Sequence, residues 1–158
     1  MNKLFTGILF LLFFNAENHA QQASANGFFP AVNTCVLTDV QKQKATFITP
    51  GAKPLLLFIF LSPECPLCQN YTRIFNDIQQ QYKEKLDVFG IVPGDAYSIK
   101  NITAFQKKYH TAFNCYSDKK LALTKYLQAT VTPQVILLNA NMQLLYTGAI
   151  DDCALIQQ

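Results

Sequence analysis

The stretch "FLSPECPLCQNYTRIF", residues 60–75, carries two cysteines, Cys65 and Cys68, in a C-x-x-C pair. Immediately upstream, "LLLFIF", residues 55–60, is apolar without alternation, the pattern of a short strand buried on both faces of a sheet. Downstream, Leu67, Tyr71, Ile74, Phe75, Ile78 and Tyr82 recur at helical spacing and form one apolar face. Gln69, Arg73, Asp77, Gln80 and Lys83 occupy the other side. Pro66 suits a first helical turn, where a missing N–H costs little. The pair therefore straddles a strand-to-helix junction, and three chemistries fit it: half of a zinc site, an inert disulfide or a redox centre.

The rest of the chain continues the alternation. Residues 34–49 read as a β-hairpin turning at Gln41-Lys42-Gln43, followed by the breaks Pro50-Gly51 and Pro54. "DVFGIVPG", residues 87–94, is a second buried strand ending in a Pro-Gly turn, and Ile99, Ile102, Phe105 and Tyr109 mark a second helix. "AFNCYSD", residues 112–118, is a short strand, and Leu121 to Leu127 form a third, shorter helix. "TPQVILLN", residues 132–139, and "LLYTGAI", residues 144–150, close the chain as a hairpin across Ala140-Asn141. Strands alternating with helices predict an α/β fold with parallel pairing and an antiparallel edge.

Composition supports a single globular domain: half of the 158 residues are apolar, 15% are charged and 13% are aromatic. The net charge is +3 and the basic residues are scattered, so no electrostatic footprint for nucleic acid is present. Lys107-Lys108, the one tight basic cluster, reads as solvated helix surface.

The N-terminus, "MNKLFTGILFLLFFNAENHA", has the layout of a secretory signal peptide: Lys3, an apolar run from Leu4 to Phe14, then a polar segment ending at the small Ala20. An uncleaved anchor is the competing reading, but the run is short for a bilayer. The expected organisation is a signal peptide over 1–20, a flexible lead-in over 21–30 and one domain over 31–158. No stable membrane insertion is expected after cleavage. Export places five cysteines where disulfides persist. An odd count leaves at least one without a partner in a monomer.

Zinc needs two more ligands at matching spacing. Cys35, Cys115 and Cys153 are isolated, His19 lies in the signal segment and His110 stands alone at the end of a helix, so no metal is expected. An inert disulfide is disfavoured by position. At a helix N-terminus unpaired N–H groups and the dipole favour a thiolate, lowering a thiol pKa from about 8.5 into a reactive range. Cys68, one turn further in, lies within reach of Cys65 and is the more buried of the two. That division makes Cys65 the nucleophile and Cys68 the resolving thiol. Cys35 and Cys115 read as small buried hydrophobes in strands. Cys153 is either a free thiol or a partner for Cys35.

Strand, C-x-x-C at a helix start and a later Thr-Pro before a strand together resemble the thioredoxin-fold superfamily. The closer likeness is to exported redoxins of the AhpC/TSA and thiol-disulfide reductase type, through "FLSPECPLC", "GIVPGD", "LQATVTPQVILLN" and "LLYTGAIDD" over residues 30–152. The resemblance implies a three-layer fold, a central mixed sheet flanked by helices with an N-terminal β-hairpin extension. The usual last helix would be reduced to "CALIQQ" or missing. It also implies that Pro133 is the family's cis-proline beside the disulfide and that the Thr132 backbone pairs with an extended substrate. Pro66 and Leu67 would face that substrate from the C-x-x-C side.

Three departures stand out. Glu64 and Ile59 replace the tryptophan and buried aspartate of thioredoxins, leaving the Cys68 proton without an evident acceptor. Ser62 stands for the threonine of the peroxiredoxin pattern P-x-x-x-T-x-x-C, but Phe58 holds its proline position. The chain also stops soon after "AIDD". The expected function is an exported thiol–disulfide oxidoreductase, more a reductase than an oxidase, acting on protein thiols and disulfides with an unidentified redox partner and no bound cofactor. Its compartment would be the periplasm of a Gram-negative source, and otherwise the extracellular space. The alternatives are an antioxidant thiol peroxidase of AhpC/TSA type and a copper chaperone, the latter requiring His110 near the cysteines.

Overall fold

The computed structural model describes residues 27–150. The signal segment, most of the lead-in, Cys153 and the rest of "CALIQQ" lie outside the described residues. A 3-10 turn, Val32–Thr34, leads into β1 (Val36–Asp39), β2 (Lys44–Phe47), β3 (Leu55–Phe60), α1 (Pro66–Gln81), β4 (Leu86–Pro93), α2 (Ile99–Tyr109), β5 (Asn114–Asp118), α3 (Ala122–Tyr126), β6 (Gln134–Asn139) and β7 (Leu144–Gly148). Each expected element is present, most with ends shifted by one or two residues.

The strands form one mixed sheet in the order β2-β1-β5-β4-β3-β6-β7. β3, β4 and β5 run parallel, joined by the crossover helices α1 and α2. β6 returns antiparallel against the other side of β3, Leu57 facing Leu137 and Phe58 facing Ile136, and β7 hairpins back on it. The N-terminal hairpin adds to the opposite edge, with Thr38 and Asp39 against Ser117 and Tyr116. Its turn is local chemistry: Asp39 Oδ1 accepts from the N–H groups of Gln41 and Lys42, both at 2.9 Å.

β3 is central because it has no polar face. Leu57 and Ile59 enter the apolar layer under α1 and α2, with Phe75, Ile102 and Phe105. Leu56, Phe58 and Phe60 enter the layer under α3, with Phe29, Leu37, Leu123 and Ile136. Phe58 stacks on Phe89 with ring centroids 5.4 Å apart. Each fully buried side chain of this kind contributes about 1.5–3 kcal/mol.

One helix assignment needs correction. Leu67 and Tyr82, expected on the apolar face of α1, are exposed, at 39% and 46%. They sit in the first turn and at the C-cap, so the buried stripe is carried between them by Cys68, Tyr71, Thr72 and Phe75. The other helices start on caps: Ser98 and Asn101 form a capping box on α2. For α3, Asp118 accepts from the N–H groups of Ala122 and Thr124 at 2.8 Å, since Leu121 at the N-cap offers no acceptor.

Candidate active site

The apolar β3 delivers the chain to one end of the sheet, and the turn Ser62–Glu64 feeds it into α1. Cys65 is the N-cap of α1 and Pro66 its first residue. The Cys65 sulfur accepts from the Cys68 N–H at 3.4 Å, so the thiol itself occupies the capping position. Gln69 braces the turn by donating through Nε2 to the Pro63 carbonyl at 2.8 Å.

Cys65 is partly exposed and Cys68 is buried, at 1% exposure; both are free thiols. The Ser62 N–H points at the Cys68 sulfur from 3.4 Å. Burial pushes the Cys68 thiol up to about 12. The Ser62 N–H pulls against that, neighbouring Cys65 adds to it, and the Thr132 side chain pulls against it again. The proton on Cys68 is thus held firmly until a partner sulfur or base draws it off.

The loop leading into β6, the neighbour of β3 in the sheet, brings in the second half of the site. The Thr132-Pro133 bond is cis, and Cys65 Sγ donates to the Thr132 carbonyl at 3.6 Å. Pro66 and Leu67 are exposed beside Cys65, while Thr132 and Pro133 are half-buried. Val131, directly before Thr132 and 62% exposed, and Leu67, two residues after Cys65, are both exposed apolar side chains. A groove is lined by Pro93, Leu121, Thr124 and Ala129–Thr132.

Two contributors escaped the sequence reading. Gln134, buried, accepts from the N–H groups of Thr130 (2.8 Å) and Val131 (3.3 Å) through Oε1 and donates to Thr147 Oγ1 through Nε2. It fixes the loop whose carbonyl faces Cys65. The signal was a polar residue opening an otherwise apolar strand, directly after Pro133. Tyr97, in the loop before α2, shares a 2.9 Å hydrogen bond with Ser62 Oγ. Nothing in the sequence marks it.

Ile59 is fully buried and Glu64 exposed, so neither supplies a buried carboxylate. His110 caps α2 with a left-handed backbone, and its carbonyl accepts from Asn76 Nδ2. Among the described residues no group of three or more His, Cys, Asp or Glu side chains is placed to hold a metal ion. Cys35 and Cys115 are buried, Cys115 within β5 as expected but Cys35 at the C-cap of the 3-10 turn just before β1 rather than in a strand, and burial raises their thiols to about 11 and about 12.

The sequence model of the Redoxin family matches residues 18–152. The chain belongs to the Redoxin family, and its fold is thioredoxin-like. No curated protein matches it in sequence. Among solved structures, an uncharacterized conserved protein from Geobacillus kaustophilus superposes with a TM-score of 0.68 at 18% identity, over 74% of this chain. This chain spans only 66% of that protein. A secreted Mycobacterium tuberculosis disulfide oxidoreductase gives 0.61 at 14% identity, over 74% and 84% of the two chains. The bacterioferritin comigratory protein of Xanthomonas campestris, which has alkyl peroxide reduction activity, gives 0.64 at 18%, over 77% and 83%. At these identities the likeness is one of fold.

Proposed function

We propose that this redoxin exchanges disulfides with protein substrates through Cys65 and Cys68, working in the reducing direction. The observation that carries the reading is the pairing of an accessible sulfur at a helix N-cap with a buried sulfur one turn behind it. The Cys65 thiolate attacks one sulfur of a substrate disulfide, forming a mixed disulfide and expelling the other sulfur as a thiolate. Cys68 then gives its proton to the thiolate expelled in the first exchange and attacks Cys65 Sγ. The Cys65–Cys68 bond forms, the Cys65–substrate bond breaks, and the second substrate sulfur leaves as a thiolate. A dithiol partner returns the enzyme disulfide to the dithiol.

Thr132, Pro133, Pro66, Leu67 and the exposed Val131 surround Cys65 as the substrate-facing rim. An extended substrate segment would lie along the Thr130–Thr132 backbone. Export is supported by the layout of residues 1–20. Among the described residues no helix is long and apolar enough to cross a membrane. With leucine and proline between the cysteines, no basic group favours an extreme oxidant.

The test is mixed-disulfide capture. Cys68→Ser is expected to accumulate covalent adducts with disulfide-bearing proteins, and Cys65→Ser to form none. Adducts of equal yield from both variants would contradict the roles given to the two sulfurs. A second reading, a thiol peroxidase, rests on Ser62 standing three residues before Cys65. It requires peroxide consumption that disappears in Cys65→Ser but need not disappear in Cys68→Ser.

A further inference from the structure

The resolving thiol lies in an apolar layer with the buried Ile59, which stands where the resemblance to thioredoxins would put an aspartate. Its hydrogen-bond partners come from three segments: Cys65 on its own helix, Thr132 before β6, and the Ser62 N–H in the turn after β3. The other ionisable side chains packed in this layer are Cys115 and the phenols of Tyr71, Tyr97 and Tyr109. Of these partners the Ser62 N–H is a fixed dipole whose aim depends on where residue 62 is held. Two contacts hold it: the Ser62 carbonyl accepts from the Cys65 N–H at 3.1 Å, and the Ser62 hydroxyl is bonded to Tyr97 OH at 2.9 Å.

Tyr97 is itself set firmly. It directly precedes Ser98, the N-cap of α2, whose side chain and that of Asn101 reciprocally close the helix start. Its ring packs against the same apolar layer as Cys68. The chain of contacts thus runs from the α2 cap through the two hydroxyls to the peptide dipole and on to the sulfur.

We propose that Tyr97 is a positioning residue for resolution: its hydroxyl holds Ser62 so that the Ser62 N–H stabilises the Cys68 thiolate as it forms. The role rests on the exchange reading above and deepens it. Tyr97 acts through Ser62, whose hydroxyl is bonded to its own. A hydrogen bond to the anion favours the charged form, and a misaimed donor forfeits that gain.

The test uses the full chain with Cys65 loaded as a mixed disulfide by a chromophoric aryl disulfide. Loading reports attack by Cys65, and release of the remaining aryl thiol reports attack by Cys68. Tyr97→Phe is expected to slow release about three- to tenfold near neutral pH, the worth of one hydrogen bond, and to move its pH profile upward. Loading should be unchanged. Ser62→Ala should reproduce the effect, and the double variant should add little to either. Release with an unshifted profile in Tyr97→Phe, however slow, would overturn the positioning role. An unsubstituted chain that loads without ever releasing would overturn the exchange reading as well, and Tyr97's role with it.

Discussion

Cys65 and Thr132 are 67 residues apart in sequence, yet the thiol of the first donates to the carbonyl of the second at 3.6 Å. The contact joins the start of α1 to the loop before β6, and its geometry depends on how that loop is held. Gln134 holds it by accepting two of its backbone N–H groups. Replacing Gln134 with leucine removes the one buried acceptor oxygen that both N–H groups share. Loss of about 1–2 kcal/mol in denaturant unfolding is expected, together with a several-fold rise in KM for a protein disulfide. An unchanged KM would detach the loop from substrate binding.

Leu67, two residues after Cys65, and Val131, directly before Thr132, are exposed and belong to neither core layer. Leu67→Ser and Val131→Ser are expected to change stability by no more than about 0.5 kcal/mol. Their effect should fall on protein substrates: lower kcat/KM for a folded disulfide protein, with a small aryl disulfide handled as before. Equal losses on both substrates would place the defect in the chemistry instead.

The buried thiols predict a pH limit. Cys35 is raised to about 11 and Cys68 and Cys115 to about 12 from an ordinary 9.0, chiefly by burial. Above pH 9 the unfolded chain releases these protons first, so the native state binds more protons and stability falls as pH rises. The contribution is whole below pH 9 and is lost through pH 11–12. Urea midpoints are expected to hold steady, as far as these thiols decide, up to about pH 9 and then decline. Cys115→Ala should begin lower, through its cavity, and decline less steeply. A parallel decline in that variant would mean that the Cys115 thiol does not contribute.

Gly90 lies in β4 where the Phe113 ring and the Cys115 sulfur close over it. A Cβ there would meet Phe113 Cε2 at 2.8 Å and Cys115 Sγ at 2.9 Å. Gly90→Ala is expected to cost about 1–3 kcal/mol through overpacking, read as a lower urea midpoint with an unchanged slope. A neutral result would show that Phe113 has room to move.

The sequence carried the fold well because its signals are local. The unbroken apolar run 55–60 predicted a strand covered on both faces, and Pro66 after Cys65 marked the helix start; both follow from the chain's own periodicity. The two cysteines and their unequal burial were legible for the same reason. Helical spacing alone extends the apolar face of α1 to Leu67 and Tyr82, because it does not show where the sheet beneath the helix ends. Gln134 and Tyr97 were missed because their partners are backbone N–H groups and a serine hydroxyl brought close only by tertiary folding. The side on which β6 would pair was likewise unwritten in any single segment.

The central claim is that Cys65 and Cys68 form a reversible two-electron couple. The direct measurement is a glutathione redox titration of the chain, with the oxidation state of the pair read by alkylation and mass spectrometry. The account predicts a single two-electron transition between about −120 and −270 mV, lost in Cys65→Ser and Cys68→Ser alike. A pair that stays dithiol, or stays disulfide, across that range would contradict it.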